Sequence, residues 1–194
     1  ATGGVQFDVA QTYTGQTTVG QGTLRYGINN ALPVANRVAV NSTGTLDLNG
    51  VLATLAQLTD GEGGGGVITN GSATAATLTI SSTTLNSDFS GTIQDGAGVL
   101  GLFKASAGTT LSLGGTNSYS GGTTLVAGNL AVSNDAALGT GTLRLIAGVF
   151  DSGTGNRTLN VPLTLAGTVL TLTGDGNLAF TGVGGGVAAT SNIT

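Results

Sequence analysis

The sequence of 194 residues contains no cysteine, histidine, methionine or tryptophan, and only two prolines. Without cysteine, the chain has no disulfide and no thiolate chemistry. Without histidine, it lacks the commonest general base and metal ligand, and it cannot build a Ser-His-Asp relay. The missing methionine leads us to expect that the sequence is an excised or processed piece of a longer protein.

Charge is also scarce, because charged residues make up only 7% of the chain, with a formal net charge of −4 and a pI near 4.2. Such a chain offers no basic patch that could bind nucleic acid or an anionic membrane, so neither is an expected partner. No run approaches the ~18 apolar residues of a membrane helix, and no signal peptide is recognisable at Ala1. We therefore expect no direct membrane insertion by this segment.

Glycine and short apolar runs dominate what is present, with 36 glycines and 39% hydrophobic residues. Three- to five-residue runs alternate apolar and polar side chains, which is typical of short strands separated by tight corners. Between Gly50 and Leu58, leucines spaced by three leave a short helix open, although a strand is favoured. The alternation predicts that these side chains point inward: Leu24, Leu46, Leu48, Leu111, Leu113, Leu130, Val132, Leu143, Leu145, Leu170 and Leu172.

An internal repeat organises the chain. Residues 12–32 and 118–138 align without a gap at a shift of 106 residues. The two copies share Tyr13/Tyr119, Gly15/Gly121, Thr17/Thr123, Thr18/Thr124, Gly22/Gly128, Leu24/Leu130, Ala31/Ala137 and Leu32/Leu138. Phe89-Ser90-Gly91 repeats the aromatic-hydroxyl-glycine corner, so we expect Phe89 to stand where Tyr13 and Tyr119 stand. Repeated corners at this distance predict stacked units.

Two architectures fit many short strands, a β-sandwich and a parallel β-helix. Sandwich strands usually have ~5–6 residues and evenly spaced turns, whereas these runs are shorter and less regular. The β-helix is therefore favoured, as a single segment over residues 1–194 with eight to nine coils of roughly 20–25 residues. We expect some of the corner glycines Gly15, Gly22, Gly121 and Gly128 to adopt positive φ.

Lys104 through Val132 resembles the passenger-associated repeat of bacterial autotransporters. Asn117, Tyr119, Gly121, Gly122, Thr123, Gly128 and Leu130 fill the pattern of that repeat. Asn129 replaces its usual threonine, and Ala105 follows Lys104 where the pattern has glycine. Residues 88–98 are similar to the diverged half-repeat that often precedes it. The resemblance implies a right-handed parallel β-helix exported across the outer membrane and displayed at the bacterial surface, with adhesion or aggregation as the commonest role.

Several motifs match functional patterns only formally. Gly61-x-Gly63-x-x-Gly66 has the spacing of a dinucleotide fingerprint, but no helix follows to hold a pyrophosphate. Asp151-Ser152-Gly153 is similar to a serine-protease turn, yet the chain has no histidine. Four acidic residues lie beside glycine without the nonapeptide period of a calcium β-roll. They are interpreted as turn residues, and an isolated Ca²⁺ contact stays open: Asp60, Glu62, Asp95 and Asp175.

Three further alternatives concern surface chemistry. A β-helical polysaccharide lyase or hydrolase would need clustered charges, whereas Lys104 and the four arginines are scattered. Thr-x-Thr pairs would suggest ice binding only if they recurred on every coil. Tyr13, Phe89 and Tyr119 would stack on sugars if exposed, but their shared place before a glycine favours packing over the coil.

The sequence therefore predicts a non-catalytic stalk and adhesin segment of an autotransporter-type protein, with no cofactor and no metal. A self-assembling extracellular fibre subunit and the β-helical enzyme are the alternatives. Expected partners are neighbouring coils of a longer chain or other copies of the chain, with host or matrix glycans or proteins as further candidates. Because the chain opens on an alternating strand, Val5 to Val9, and has little charge near either end, we expect both ends to be used in such contacts.

Overall fold

The computed structural model describes residues 3–167, 169–183 and 192–193, and all regular secondary structure in this part of the chain is β-strand. In chain order the strands are β1 Gly4–Phe7, β2 Thr17–Tyr26, β3 Arg37–Asp47, β4 Leu52–Leu55, β5 Gln57–Asp60, β6 Val67–Thr69, β7 Ala76–Ile80, β8 Ser87–Phe89, β9 Thr92–Ile93, β10 Leu100–Lys104, β11 Thr110–Leu113, β12 Thr123–Leu125, β13 Asn129–Val132, β14 Leu143–Leu145, β15 Gly148–Asp151, β16 Arg157–Leu159, β17 Leu163–Leu165, β18 Val169–Thr173, β19 Leu178–Phe180 and β20 Asn192–Ile193. They stack in parallel as a β-solenoid of about eight turns, which confirms the predicted β-helix.

Each coil passes over three faces, which we name A, B and C. Face A contains the first halves of β2 and β3, then β5, β8, β11, β13, β15, β18 and β20. Face B contains β1, the second halves of β2 and β3, β6 and β9. Face C is the six-stranded sheet β4-β7-β10-β12-β14-β17. In the later coils, the pair β16 and β19 takes the place of face B between faces A and C.

The core is a set of side-chain columns that run along the coil axis. On face A, the register places Leu111, Leu130 and Phe150 directly above one another. Ten of the eleven side chains predicted to point inward are buried, and the eleventh, Leu172, is half-buried against the core. This stacking follows from parallel pairing that keeps its register within each face, because each inward position then meets an inward position of the next coil. The pair β2 and β3 shifts its register between Val19 and Gln21, where the chain passes from face A to face B.

Coil length is not constant. Register partners lie 19 residues apart between Leu111 and Leu130, but 29 apart between Thr59 and Asp88. The longer coil contains the glycine-rich loop at 61–66 and the loop at 81–86. Both loops lie between strands, at corners of the coil, so they lengthen the coil without interrupting a strand. The Gly50 to Leu58 region forms β4 and part of β5, so the strand interpretation is confirmed over the helix.

Glycines allow successive coils to approach at the corners. Gly128 and Gly148 stack between faces C and A with φ of +80° and +109°. A Cβ on Gly148 would collide with the carbonyl oxygen of Gly128, and a Cβ on Gly128 would lie 2.7 Å from Thr109 O. Only glycine combines this backbone conformation with so close an approach.

The N-terminal end of the described solenoid presents an unpaired strand edge. β1 pairs only with β2, and it ends at Phe7 rather than continuing to Val9. Val5 is 57% exposed although its register position lies above buried Leu24. We expect contacts at the C-terminal end as well, but residues 184–191 near that end lie outside the described residues.

Candidate functional site

The aromatic-hydroxyl-glycine corners are the candidate residues, and the structure places them at three different corners of the coil. Tyr13-Thr14-Gly15 precedes face A, Phe89-Ser90-Gly91 leads from face A to face B, and Tyr119-Ser120-Gly121 leads to face C. The two repeat copies are therefore offset by one face, since Leu24 lies on face B and Leu130 on face A. The repeat encodes a type of corner and not a fixed position in the coil.

Tyr13 and Tyr119 nevertheless make the same local contact. The hydroxyl of Tyr13 bonds to Thr17 Oγ1 at 2.6 Å, and that of Tyr119 bonds to Thr123 Oγ1 at 2.6 Å. Tyr119 is fully buried, whereas Tyr13 is 38% exposed in the first coil. The shared Tyr-x-x-x-Thr spacing thus places a hydrogen bond across the corner in both copies.

The prediction that Phe89 stands where the two tyrosines stand is wrong. Phe89 is the last residue of β8 and pairs in register with Leu113, so it belongs to the core column of face A. A three-residue strand ends at the aromatic, because the chain turns at once at Ser90-Gly91. Phe89 and Tyr119 are both buried, which agrees with packing over the coil.

A serine-aspartate clamp is what the Phe89 and Tyr119 corners share. Asp60 accepts hydrogen bonds from the backbone N–H and the hydroxyl of Ser90 in the next coil. Asp95 does the same for Ser120, with 2.6 Å between Ser120 Oγ and Asp95 Oδ2, and it also accepts the N–H of Leu100 at 2.8 Å. The sequence predicts turn residues at these positions, and the two carboxylates also tie one coil to the next.

The predicted positive φ is confirmed at Gly22 and Gly128, with φ of +75° and +80°. Gly122 has +79°, whereas Gly15 and Gly121 are not among the residues with positive φ. Gly91 and Gly121 are required for a different reason, because a Cβ on either would collide with the preceding coil, at Gly66 O and at Leu100 O. A Cβ on Gly15 would project into open space, with no atom beyond its chain neighbours within 4 Å, so glycine is not sterically required there.

Buried asparagines form a second kind of clamp that spans three coils. Asn117 accepts the N–H of Ile93 at 2.7 Å and donates to the carbonyl of Ala137 at 2.6 Å. Asn70 accepts from Gly50 N and donates to Thr74 O and Val99 O. Each carboxamide therefore satisfies backbone groups that a corner leaves without a ladder partner.

Asn117→Ala is expected to lower the free energy of unfolding by about 1–3 kcal/mol, because two buried backbone groups lose their partner. Urea unfolding followed by circular dichroism would measure this loss. Asn129→Ala is the matched control, since Asn129 is exposed and should change stability by less than about 0.5 kcal/mol. Equal losses for both variants would contradict the clamp.

Lys104 lies on β10 with its side chain in the core column between Ile80 and Leu125. It is fully buried, and its ammonium donates a hydrogen bond to the carbonyl of Ser106. Ser106 lies between faces C and A, at the corner where Gly128 lies in the next coil. Burial lowers the pKa of Lys104, because the charged form loses hydration. A side chain in this place supports a corner and cannot reach a surface groove.

The buried tyrosines predict loss of stability in alkali. Burial raises the pKa of both Tyr119 and Tyr26 above the ordinary value near 10, because the phenolate would be desolvated. Above pH 10 the unfolded chain therefore loses protons that the folded chain retains, so the unfolding free energy falls as the pH rises.

Tyr119→Phe should weaken this alkaline loss, although it costs about 1 kcal/mol at neutral pH through the missing bond to Thr123. Urea midpoints at pH 8, 10 and 11 would measure both effects. Tyr13→Phe removes the equivalent bond from an exposed ring and is the control. An unchanged slope between pH 10 and 11 in Tyr119→Phe would count against the prediction.

The motifs with formal matches form local turns. Gly66 is followed by strand β6 and not by a helix, so the 61–66 loop lacks the context of a dinucleotide site. Asp151 accepts the N–H of Gly153 at 2.8 Å, as expected for a turn. Among the described residues there is no group of three or more carboxylates, histidines or cysteines that could hold a metal ion.

The outward surface of face C contains an exposed aromatic that sequence reasoning missed. Phe103 is 38% exposed in the middle of β10, between Thr79 and Thr124 of the adjacent strands. The alternation of β10, with Leu100, Leu102 and Lys104 buried, is the signal that would have placed Phe103 on the outside.

No protein-family model, curated protein or solved structure matches this chain. Within residues 3–167, 169–183 and 192–193, no helix is long and apolar enough to cross a membrane.

Proposed function

We propose that the chain is a non-catalytic stalk and adhesin segment of an autotransporter-type surface protein, which mediates adhesion, aggregation or biofilm formation. The observation that supports this best is that polar and charged side chains capable of chemistry hold the coils and corners together. Asp60 and Asp95 hold serines of the next coil, Asn117 bridges three coils, and Lys104 holds a corner. These four side chains, which an enzyme could direct at a substrate, are here bonded to backbone groups and, for the two aspartates, also to serine hydroxyls.

The proposed mechanism is mechanical. A continuous apolar core and parallel ladders make a rod in which each coil contacts only its neighbours. The clamps bond consecutive coils at the corners, where the strand ladders are interrupted. Such a rod would carry its outward faces away from the cell, after export across the outer membrane, and offer them to other copies of the chain or to host or matrix glycans or proteins.

Antibody labelling of the producing bacterium tests the proposal. An antibody against the chain is expected to label intact cells, and an in-frame deletion of the segment should reduce adhesion or cell aggregation while the rest of the protein still reaches the surface. A deletion of equal length elsewhere in the parent protein is the control. Labelling only after permeabilisation, or full adhesion of the deletion strain, would overturn the proposal.

A fibre subunit is the second candidate, and the exposed edge of β1 favours it. Val5 and Val9 are 57% and 67% exposed, and an open cavity of about 210 Å³ at this end is lined by Phe7, Val19 and Leu24 among others. Light scattering across a concentration range should show growing particles if copies add end to end. Val5→Lys should then suppress growth, whereas Val34→Lys, at an exposed valine of the corner loop before β3, should not. Strictly monomeric behaviour of the unmodified chain would rule out the fibre.

The β-helical lyase or hydrolase gains no support from the positions of the basic residues. Lys104 is buried, Arg25 pairs with Asp47 at 2.8 Å, and Arg157 donates to the backbone carbonyls of Ser152 and Thr154. These three groups hold coils and corners together, and the two exposed arginines lie on different faces, Arg37 on face A and Arg144 on face C, so we do not propose this function.

A further inference from the structure

The corner between faces B and C contains both Asn-Gly sequences of the chain, Asn49-Gly50 and Asn70-Gly71. They lie in successive coils, after β3 and after β6. Asn-Gly is the dipeptide most prone to deamidation, because glycine has no side chain to shield its backbone nitrogen. Each sequence is therefore a candidate site of covalent modification.

Deamidation needs a free glycine nitrogen beside a movable carboxamide. The glycine nitrogen gives its proton to hydroxide and bonds to Cγ of the preceding asparagine, and the side-chain nitrogen leaves as ammonia. Water then opens the resulting succinimide ring at either carbonyl, which leaves an aspartate or an isoaspartate. The nitrogen must therefore be released from any hydrogen bond and must approach Cγ closely before the ring can form.

The corner itself requires glycine after each asparagine. Gly50 has a φ of +81°, and a Cβ on it would lie 2.7 Å from Ser72 Oγ. A Cβ on Gly71 would lie 2.5 Å from Asp47 Oδ2, whose carboxylate is buried. The same close approach of the coils that demands these glycines thus creates two reactive sequences.

Both glycine nitrogens are held by hydrogen bonds to the adjacent coil. Gly50 N donates to Asn70 Oδ1 at 2.7 Å, and Gly71 N donates to Asp47 Oδ1 at 2.7 Å. The two acceptor side chains are buried, so water does not compete for these N–H groups. Attack on Cγ would require the bond between the coils to break first.

The carboxamides that would be attacked are also fixed. Asn49 Nδ2 donates to Tyr26 O at 3.0 Å. Asn70 Nδ2 donates to Thr74 O at 2.8 Å and to Val99 O at 2.9 Å, and the whole side chain is buried. Neither group can turn toward the following nitrogen without losing these bonds, and burial keeps from Asn70 the water that opens the ring.

We propose that this network prevents the deamidation of Asn49 and Asn70, and that Asn70 is a latent modification site which reacts only when the corner opens. A carboxylate at position 70 would place oxygens against the carbonyls of Thr74 and Val99, where it could no longer donate. The corner could not close again in its original form, so the reaction would make a local opening permanent. The inference concerns the chemical durability of the solenoid and does not rest on the proposed function.

Peptide mapping by mass spectrometry, after incubation in mildly alkaline buffer, would measure the deamidation rate at each asparagine. In the folded chain, Asn49 and Asn70 should both react at least about tenfold more slowly than in the same chain unfolded in urea. Equal rates in the folded and the unfolded chain would overturn the inference.

Two variants separate the two bonds. Asp47→Ala frees Gly71 N and should raise the rate at Asn70 by at least about tenfold, while Asn49 stays slow because Gly50 N keeps its bond. Asn70→Ala frees Gly50 N and should raise the rate at Asn49 instead. Arg25→Ala is the matched control, since it removes the other partner of the Asp47 carboxylate and should leave both sites slow.

Circular dichroism identifies a variant that does not fold, and hydrogen exchange of the unmodified chain then tests the same bonds. The amides of Gly50 and Gly71 should exchange at least about tenfold more slowly than in an unstructured peptide. Unprotected exchange at both amides would contradict the inference. An equal rise at both asparagines in a folded Asp47→Ala variant would also overturn it, because protection would then come from the overall rigidity of the solenoid and not from these bonds.

Discussion

Gly128→Val is expected to lower the free energy of unfolding by about 2–6 kcal/mol. A β-branched residue at φ of +80° is strained by roughly 1–3 kcal/mol. Its Cβ would also collide with Ser106 O and lie 2.7 Å from Thr109 O and 2.9 Å from Lys104 Nζ. Because two of these atoms belong to backbone that is held in the solenoid, relief requires the coils to separate, which adds a packing cost of about 1–3 kcal/mol.

Gly15→Val is the matched control, because Gly15 is a glycine of the other repeat copy with open space around its Cβ position and no positive φ. It should cost less than about 1 kcal/mol. Denaturant unfolding of both variants measures the difference. If the two cost the same, inter-coil crowding at the Gly128 corner would be excluded as the reason for its glycine.

The fold class could be predicted because short alternating runs leave few alternatives. Apolar side chains two residues apart must face the same side of a strand, and Leu111, Leu113, Leu143 and Leu145 are all inside. Between Gly50 and Leu58 the β-branched and small neighbours of the leucines favour a strand over a helix, and the structure has strands there, with Leu52 pointing outward. Leu172 is only half-buried because it lies on β18, near the last described coils.

The position of each corner in the coil could not be predicted. A glycine with positive φ bends the chain in the same way at any of the three corners, so the repeat identifies Gly22 and Gly128 as corners but not which corner each forms. Because the coils vary in length from 19 to 29 residues, the sequence has no fixed repeat period. For the same reason the pattern places Phe89 at the position of Tyr119, although Phe89 ends a strand.

The contacts between coils depend on residues about 20–30 positions apart, which no local pattern reveals. Asp95 meets Ser120, and Asn70 meets Val99, only after the coils have stacked. Phe103 likewise lies between Thr79 of β7 and Thr124 of β12 only once the coils have stacked.

Leu130→Ala is expected to lower the free energy of unfolding by about 2–5 kcal/mol. Leu130 is fully buried in the middle of the solenoid, with Leu111 on one side and Phe150 on the other in the same core column. Removing its side chain leaves a cavity between two coils. Their parallel ladders hold them at a fixed spacing of about 4.8 Å, so the neighbouring side chains cannot close it.

Because each coil contacts only its neighbours, this local loss should also reduce the cooperativity of unfolding. Thermal and urea unfolding of the variant, followed by circular dichroism, would show a lower midpoint and a broader transition. Leu52→Ala is the control for stability, since Leu52 is 53% exposed on face C and should change it by less than about 0.5 kcal/mol. A Leu130→Ala variant as stable as Leu52→Ala would mean that the column through Leu111, Leu130 and Phe150 does not hold these coils together.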